Sequence, residues 1–294
     1  MSDIELLSAL NEDWFEEDIP PAEAVVLHDG YVKGSPDAIL YDINLTINEG
    51  ECFGIVGPGG AGKTTLLHVI LGLKQLSEGK VELFSSFPTS RLRRKLSIGY
   101  LPQFTEIQPN VPATLMDYIL MGLRNVRGPF RRVSRMDMLY MENLLMALHL
   151  EHKINLPVGY FSPGDQHKIQ IIRALAAEPK LLVLDEPFQR LDPQGRKVLI
   201  RLLADLQRRT NATIIMTAQD GEPLTAICDN IACLNHSLLW TAESDQINSE
   251  IWADPCNCLP LQDEEEPEEM YDFESGPEER NDNTPHNNPI QFWR

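Results

Sequence analysis

The 294-residue sequence predicts an α/β fold with a helical insertion. Three observations carry this. Short apolar runs suited to buried strands alternate along the chain with longer amphipathic stretches. One run, Cys52–Val56, feeds a glycine-rich loop that opens a helix. Another, Leu181-Leu182-Val183-Leu184, ends directly in two acids, Asp185 and Glu186.

Taken in order, Ile39–Ile47 alternates like a half-buried strand. Cys52–Val56 reads as a short buried strand, and Thr65–Leu73 as a helix with apolar Leu66, Leu67 and Ile70. Ser97–Leu101 is the next strand. Residues 105–165 read mostly helical, with a capping box at Ser134 and Asp137 and a stripe of Met138, Met141, Leu145 and Leu148. That stripe reads as core, not as a ligand groove, and the stretch as a lobe inserted into the α/β body. Leu181–Leu184, Thr213–Thr217 and Ile231–Leu234 complete a central sheet. Asp192-Pro193 starts a helix, Asp as N-cap and Pro at the first helical position. Val198, Leu202, Leu203 and Leu206 share one face of that helix. No internal repeat is evident.

Charge divides the chain differently. Residues 1–23 hold eight acids and no Lys or Arg, and residues 263–294 hold eleven acids against two arginines. Nearly all of the formal net charge of −19 therefore sits in the ends, and the body is almost neutral. This gives an acidic extension over 1–23, a folded domain over 24–255, and an acidic tail over 256–294. The tail has too little apolar surface to order itself, although Ile290–Arg294 turns apolar again. Leu6, Leu7, Leu10, Trp14 and Phe15 allow one short amphipathic helix in the first segment. The balance disfavours nucleic acid and direct lipid binding as partners. No apolar run is long enough to span a bilayer, and Met1–Glu5 has no basic start, so a cytoplasmic location is expected. Five cysteines without a framework read as free thiols, and Cys256-Asn257-Cys258 lacks the further ligands of a metal site. His68 and His167 read as packing residues.

Residues Gly57-Pro58-Gly59-Gly60-Ala61-Gly62-Lys63-Thr64-Thr65 fit the phosphate-binding pattern G-x-x-x-x-G-K-[ST]. Without Cβ atoms the glycines let the backbone curl and turn its N–H groups inward. The helix that follows begins with unpaired N–H groups and a partial positive end, which favours an anion. Lys63 supplies a mobile cation for β- and γ-phosphates, the Thr64 hydroxyl a ligand for Mg²⁺, and Pro58 shape without a donor. Asp185 stands where a strand's carboxyl end meets ligand, placed to hold Mg²⁺, and Glu186 is placed to orient and polarise an attacking water.

The ordered set of motifs over residues 24–250 resembles the ATP-binding cassette (ABC) ATPases. The resemblance implies a P-loop NTPase fold of the ABC type: a mixed sheet core, an inserted helical lobe and a small antiparallel β part. It implies that Tyr31 stacks on adenine. Gln103, in Ile98–Gln103, would be the glutamine that joins body to lobe and senses the γ-phosphate and Mg²⁺. Phe161-Ser162-Pro163-Gly164-Asp165-Gln166 stands in the place of the family signature, and Asp192 in that of the dimer-interface aspartate. ATP and Mg²⁺ are the implied cofactors. The implied partners are a second ATPase domain, head to tail, and a separate transmembrane permease. Ser162 and the Gly164 N–H would reach the γ-phosphate bound by the other copy. Pro112–Gly122 and Asp185-Glu186-Pro187-Phe188 are similar to subunits serving zinc, manganese or iron importers.

Two positions depart from the family pattern. Pro163 replaces a signature glycine and removes an N–H, with the Asp165 carboxylate close by. Gln219 stands at the switch histidine, where its amide can donate but cannot become cationic. These departures predict tight Mg-ATP binding and slow hydrolysis. A nucleotide-dependent scaffold working through its acidic tails is the competing reading. A DNA-repair or translation factor is disfavoured by the single cassette, and a small GTPase by the absence of a guanine-reading Asn-Lys-x-Asp segment. Whether the dimer is homo- or heteromeric stays open. Because the binding chemistry lies in the body, deleting residues 263–294 should leave Mg-ATP affinity within about twofold by calorimetry, since distant sites add independently. A large loss would place the tail on the site.

Overall fold

A computed structural model describes residues 21–34, 38–103, 106–127, 132–247 and 251–253. The expectations for residues 1–20, for Cys256 and Cys258 and for the acidic tail lie outside these. Two sheets organise the described chain. The smaller is antiparallel in the order β2-β1-β4, from β1 (Glu23–Val32), β2 (Leu40–Asn48) and β4 (Glu78–Leu83). The larger runs β5-β6-β7-β3-β8-β9, from β3 (Cys52–Val56), β5 (Ile98–Leu101), β6 (Leu181–Leu184), β7 (Thr213–Ala218), β8 (Asn230–Asn235) and β9 (Ser237–Glu243). It is parallel except for β9, which returns against β8. The fold is α/β with a mixed sheet and a small antiparallel part.

The central strands β3, β6 and β7 of the large sheet are buried on both faces, which explains why they are continuous apolar runs rather than alternating ones. Alternation survives in what each residue touches. Cys52, Val56, Leu182, Leu184, Ile214 and Met216 join one apolar cluster. Their strand neighbours Phe53, Ile55, Leu181, Val183 and Ile215 join the other. The second cluster also holds Leu66, Leu67 and Ile70 of α1 (Lys63–Ile70) and the inner residues of the small sheet. Helix α1 stops at Ile70, short of the Leu73 expected, and Gly72 follows at φ +62°. A Cβ there would lie 2.1 Å from Pro88 O.

The first cluster carries the remaining long helices: α3 (Leu115–Arg127), α4 (Arg135–Ala147), α5 (Pro163–Leu175) and α6 (Pro193–Thr210). The short α2 (Ser90–Lys95) precedes β5, and α7 (Glu222–Thr225) follows β7. Helix α4 starts at the predicted capping box: Asp137 N donates to Ser134 Oγ at 3.1 Å and Ser134 N to Asp137 Oδ2 at 2.8 Å. Met141, Leu145 and Leu148 are buried and Met138 packs against them, so the Met stripe is core. Helix α6 starts at Asp192, whose Oδ1 accepts from Gly195 N at 2.7 Å. It buries Leu199 along with Leu203 and Leu206, while Val198 and Leu202 are partly covered.

The helical insertion shares its apolar core with the sheet: Ile119, Met141 and Leu144 belong to the same cluster as Leu184 and Met216. One core should unfold as one unit. Leu144→Ala, at a site 1 % exposed, should cost about 2–5 kcal/mol and lower the midpoint of a single urea transition. Two transitions with only one displaced would show an independent lobe.

Candidate nucleotide-binding site

The carboxyl ends of β3, β6 and β7 lie side by side, since β7 pairs with both neighbours in parallel. Ligands of open α/β sheets bind at this edge. From β3 the chain enters the loop Gly57–Gly62. Gly60 and Gly62 sit at φ +85° and +96°, where glycine carries no steric penalty. A Cβ at Gly57 would lie 2.1 Å from Leu234 O, and one at Gly62 2.6 Å from Leu40 Cδ2. At Gly59 and Gly60 a Cβ would meet nothing within 4 Å, so the space beside these two backbones is open. Ala61 is buried and anchors the loop, its carbonyl accepting from His236 N at 2.9 Å. Gly62 caps α1 without a side-chain bond, which leaves the first-turn N–H groups to an anion.

Two side chains from α1, Lys63 and Thr64, converge with the two acids after β6. Lys63 is 5 % exposed. Its ammonium donates to Gly57 O at 2.6 Å and Pro58 O at 2.9 Å and lies 3.9 Å from Glu186 Oε1. Thr64 Oγ1 donates to Asp185 Oδ2 at 2.6 Å. Thr65 follows, half-buried in α1. Asp185 is 1 % exposed, and its other oxygen, Oδ1, accepts from Thr217 Oγ1 at 2.6 Å. The same Thr217 hydroxyl accepts from Glu186 N at 2.9 Å. Glu186 holds φ +52°, an uncommon backbone for a residue with a side chain. Its Oε1 accepts from Gln219 Nε2 at 2.9 Å. Hydroxyl and carboxylate oxygens at this spacing suit Mg²⁺, a hard cation that takes few protein ligands and keeps several waters. The residues present therefore fit the ion. Among the described residues no group of three or more His, Cys, Asp or Glu side chains is placed to hold a metal.

The other expected residues lie around this centre. Asp185 N donates to Leu101 O at 2.9 Å, which brings the end of β5, and Gln103 two residues on, beside the acids. Gln103 itself is exposed. Tyr31 is half-buried in β1, opposite Glu78 of β4. Ser162 caps α5, accepting from Asp165 N at 3.2 Å, and Pro163 takes the first helical position. There a missing N–H leaves no intrahelical bond unmade, so the helix start survives the substitution. The Asp165 carboxylate is met by Lys153 at 3.1 Å and Lys168 at 3.8 Å, which offsets the repulsion expected from it. A Cβ on Gly164 would have Arg190 O as its nearest neighbour, 3.8 Å away, which sets α5 beside the loop that leads to Asp192.

Two contributors were not singled out from sequence. Thr217 bridges both acids. Gln166 is buried in the signature stretch, its Oε1 accepting from Ile107 N at 2.9 Å and its Nε2 donating to Phe161 O at 3.1 Å. It fixes the start of α5 to the segment beyond Gln103. The two histidines pack, as expected. His68 Nε2 lies 3.0 Å from the Tyr100 hydroxyl. Burial, and then the Asp185 charge, push that phenol up to about 12. His167 Nε2 donates to Pro187 O at 2.8 Å, and burial holds its imidazole below the ordinary value. Cys52, Cys228 and Cys233 are buried free thiols.

The ABC transporter family model matches residues 40–189, just over half of the chain. A "Probable metal transport system ATP-binding protein" of Thermotoga maritima is 34 % identical over 212 residues, covering 72 % of this chain and 81 % of that one. The zinc import ATP-binding protein ZnuC of Pseudomonas entomophila is 30 % identical, covering 74 % and 77 %. An ABC transporter assigned to the metal-chelate type, solved in an inward-facing conformation, aligns with a TM-score of 0.63 and 27 % identity over 78 % of this chain and 86 % of its own. Among the described residues no helix is long and apolar enough to cross a membrane.

Replacing Thr217 by Val strips Asp185 Oδ1 and Glu186 N of a buried partner. Each unpaired group costs about 1–3 kcal/mol. Thr217→Val should therefore lower the melting temperature and weaken Mg-ATP binding, read by calorimetry, while Thr217→Ser stays near the parent. Equal behaviour of Val and parent would show that the bridge is idle.

Proposed function

Since the chain belongs to the ABC transporter family of ATP-binding, ATP-hydrolysing subunits, we propose that it energises passage of a metal ion through separate membrane-spanning subunits, and that it turns over slowly. The metal reading is supported by the names of its relatives, which include metal transport and zinc import proteins. The observation that carries the site reading is the continuous chain of bonds from Thr64 through Asp185 and Thr217 to Glu186 and Gln219.

In this proposal the Gly57–Thr65 backbone and Lys63 receive the β- and γ-phosphates, Thr64 and Asp185 hold Mg²⁺, and Tyr31 lies against adenine. Bound there, Mg²⁺ would neutralise charge developing on the phosphate oxygens. Lys63 would leave its own loop carbonyls for the phosphate, a local exchange of partners at the head of α1. Glu186 orients water: with Oε1 engaged by Gln219, Oε2 is the oxygen that takes the proton. Gln103, two residues beyond the carbonyl that Asp185 N bonds, sits where nucleotide state is passed toward the helical insertion. Ser162 caps α5 and Gly164 lies in its first turn, and both serve the nucleotide of a second copy arranged head to tail, with Asp192 at the junction. The membrane subunit would hold the assembly at the membrane.

Slowness has two sources. Pro163 removes one N–H from the face offered to the other copy's γ-phosphate, and Gln219 holds Glu186 without ever carrying charge. One lost oxyanion donor is worth about 10²–10³ in rate. Gln219→His and Pro163→Gly should each raise the steady-state rate by at least about tenfold at unchanged Mg-ATP affinity. If neither variant outpaces the parent, slow turnover is not explained by these positions. No calorimetric uptake of ATP with Mg²⁺ present would overturn the whole assignment.

A further inference from the structure

Gly221 follows the Gln219-Asp220 pair and caps the short helix α7. Its backbone, φ −84° and ψ −15°, is one that every L-residue adopts freely. Conformation therefore does not demand glycine here. Space does. A Cβ at this position would lie 2.0 Å from Trp252 Cζ3, 2.4 Å from Cη2 and 2.5 Å from Cε3. The six-membered ring of the indole therefore fills the space that a side chain at Gly221 would take. Trp252 is in turn packed against the main apolar cluster, and its neighbour Ile251 is 2 % exposed within that cluster. The indole is thus backed by core on one side and presses on the loop with the other.

That loop carries the group that holds Glu186. Gln219 Nε2 donates to Glu186 Oε1 at 2.9 Å, and Asp220 Oδ1 accepts from Glu222 N at 3.1 Å. Pro223 of α7 lines the same cavity as Glu186, Phe188, Arg196 and Gln219. Gln219 is exposed, so the core does not fix its position. Movement of the Asp220–Gly221 backbone by a fraction of an ångström would slide the amide off the carboxylate. The indole blocks that movement from the outer side.

We propose that Trp252 is a positioning residue: its indole, seated on Gly221, clamps the Gln219–Gly221 loop and through Gln219 fixes the orientation of Glu186. This rests on the reading of Glu186 as the residue that orients water.

The test uses the full chain with Trp252→Ala, Trp252→Phe, Gly221→Ala, the Gly221→Ala/Trp252→Ala double variant, and Glu186→Gln as control. A misplaced orienting group costs about tenfold or more in turnover, so Trp252→Ala should lower kcat by that factor with KM within about twofold. Trp252→Phe should restore most of the rate. Gly221→Ala should be as slow as Trp252→Ala on the parent background. It should add nothing on the Trp252→Ala background, where the methyl has room. Hydrogen exchange of the Asp220–Glu222 amides reads the same clamp without turnover, faster in Trp252→Ala and slowed again by Phe. Parent-like kcat and exchange in Trp252→Ala would overturn the proposal. So would a slow variant that Phe does not rescue and whose melting temperature and Mg-ATP affinity fall together. Undiminished turnover in Glu186→Gln would instead remove the assignment of Glu186, with the exchange data still deciding whether the indole holds the loop.

Discussion

A single carboxylate, almost wholly out of water, organises this molecule. Asp185 is 1 % exposed, and a buried carboxylate is costly unless its oxygens are satisfied. Here each oxygen accepts one hydroxyl, from Thr64 at the head of α1 and from Thr217 on β7. Its own N–H is bonded to Leu101 O at the end of β5. Three separate stretches of chain are thereby referred to one residue. The arrangement also sets the Thr64 hydroxyl and an Asp185 oxygen side by side, the pair proposed above to hold Mg²⁺.

Around that point the structure separates grip from reaction. The grip is local in sequence: a strand, a glycine loop and the start of a helix, held by steric exclusion at Gly57 and Gly62 and left open at Gly59 and Gly60. The end at Glu186, proposed to react, is assembled from afar. Glu186 is set by a hydroxyl on β7 and by an amide after it, and the loop bearing that amide is pressed by an indole from the far end of the folded region. The residues proposed to meet a second nucleotide start α5, where Gln166 ties that start to the segment beyond Gln103.

How much of this the sequence disclosed follows the same division. The phosphate loop, the acids after β6, the Asp192 cap and the Ser134 capping box are contiguous patterns whose chemistry is complete within a few residues. The parallel strands of the large sheet were visible as apolar runs, its central ones because both faces are covered. Strands β1, β4 and β9 were not picked out. Glu78-Gly79-Lys80 opens β4 with three exposed residues, and in β9 the exposed Leu239 beside the buried Trp240 hides in the sequence the alternation its burial shows. Thr217 was invisible as a site residue because its importance depends on which residue of β6 it faces. The partners of Asp165, Lys153 and Lys168, were missed for a related reason: the first is brought near only by the turn between α4 and α5.

The placement of Thr217 has a consequence for the sheet itself. Strand β7 stands between β3 and β6, and its register pairs Met216 with Leu184 and Thr217 with Ile55. Side chains alternate faces along a strand, so displacement by one residue would offer Met216 or Ala218 where the hydroxyl is needed. Hydrophobic burial alone tolerates such a slip poorly but in kind, since both neighbours are apolar. The acids do not tolerate it at all. Pairing fidelity in the middle of the sheet is therefore enforced twice, once by the core and once by the Asp185 carboxylate and the Glu186 N–H, which meet one hydroxyl in a single alignment.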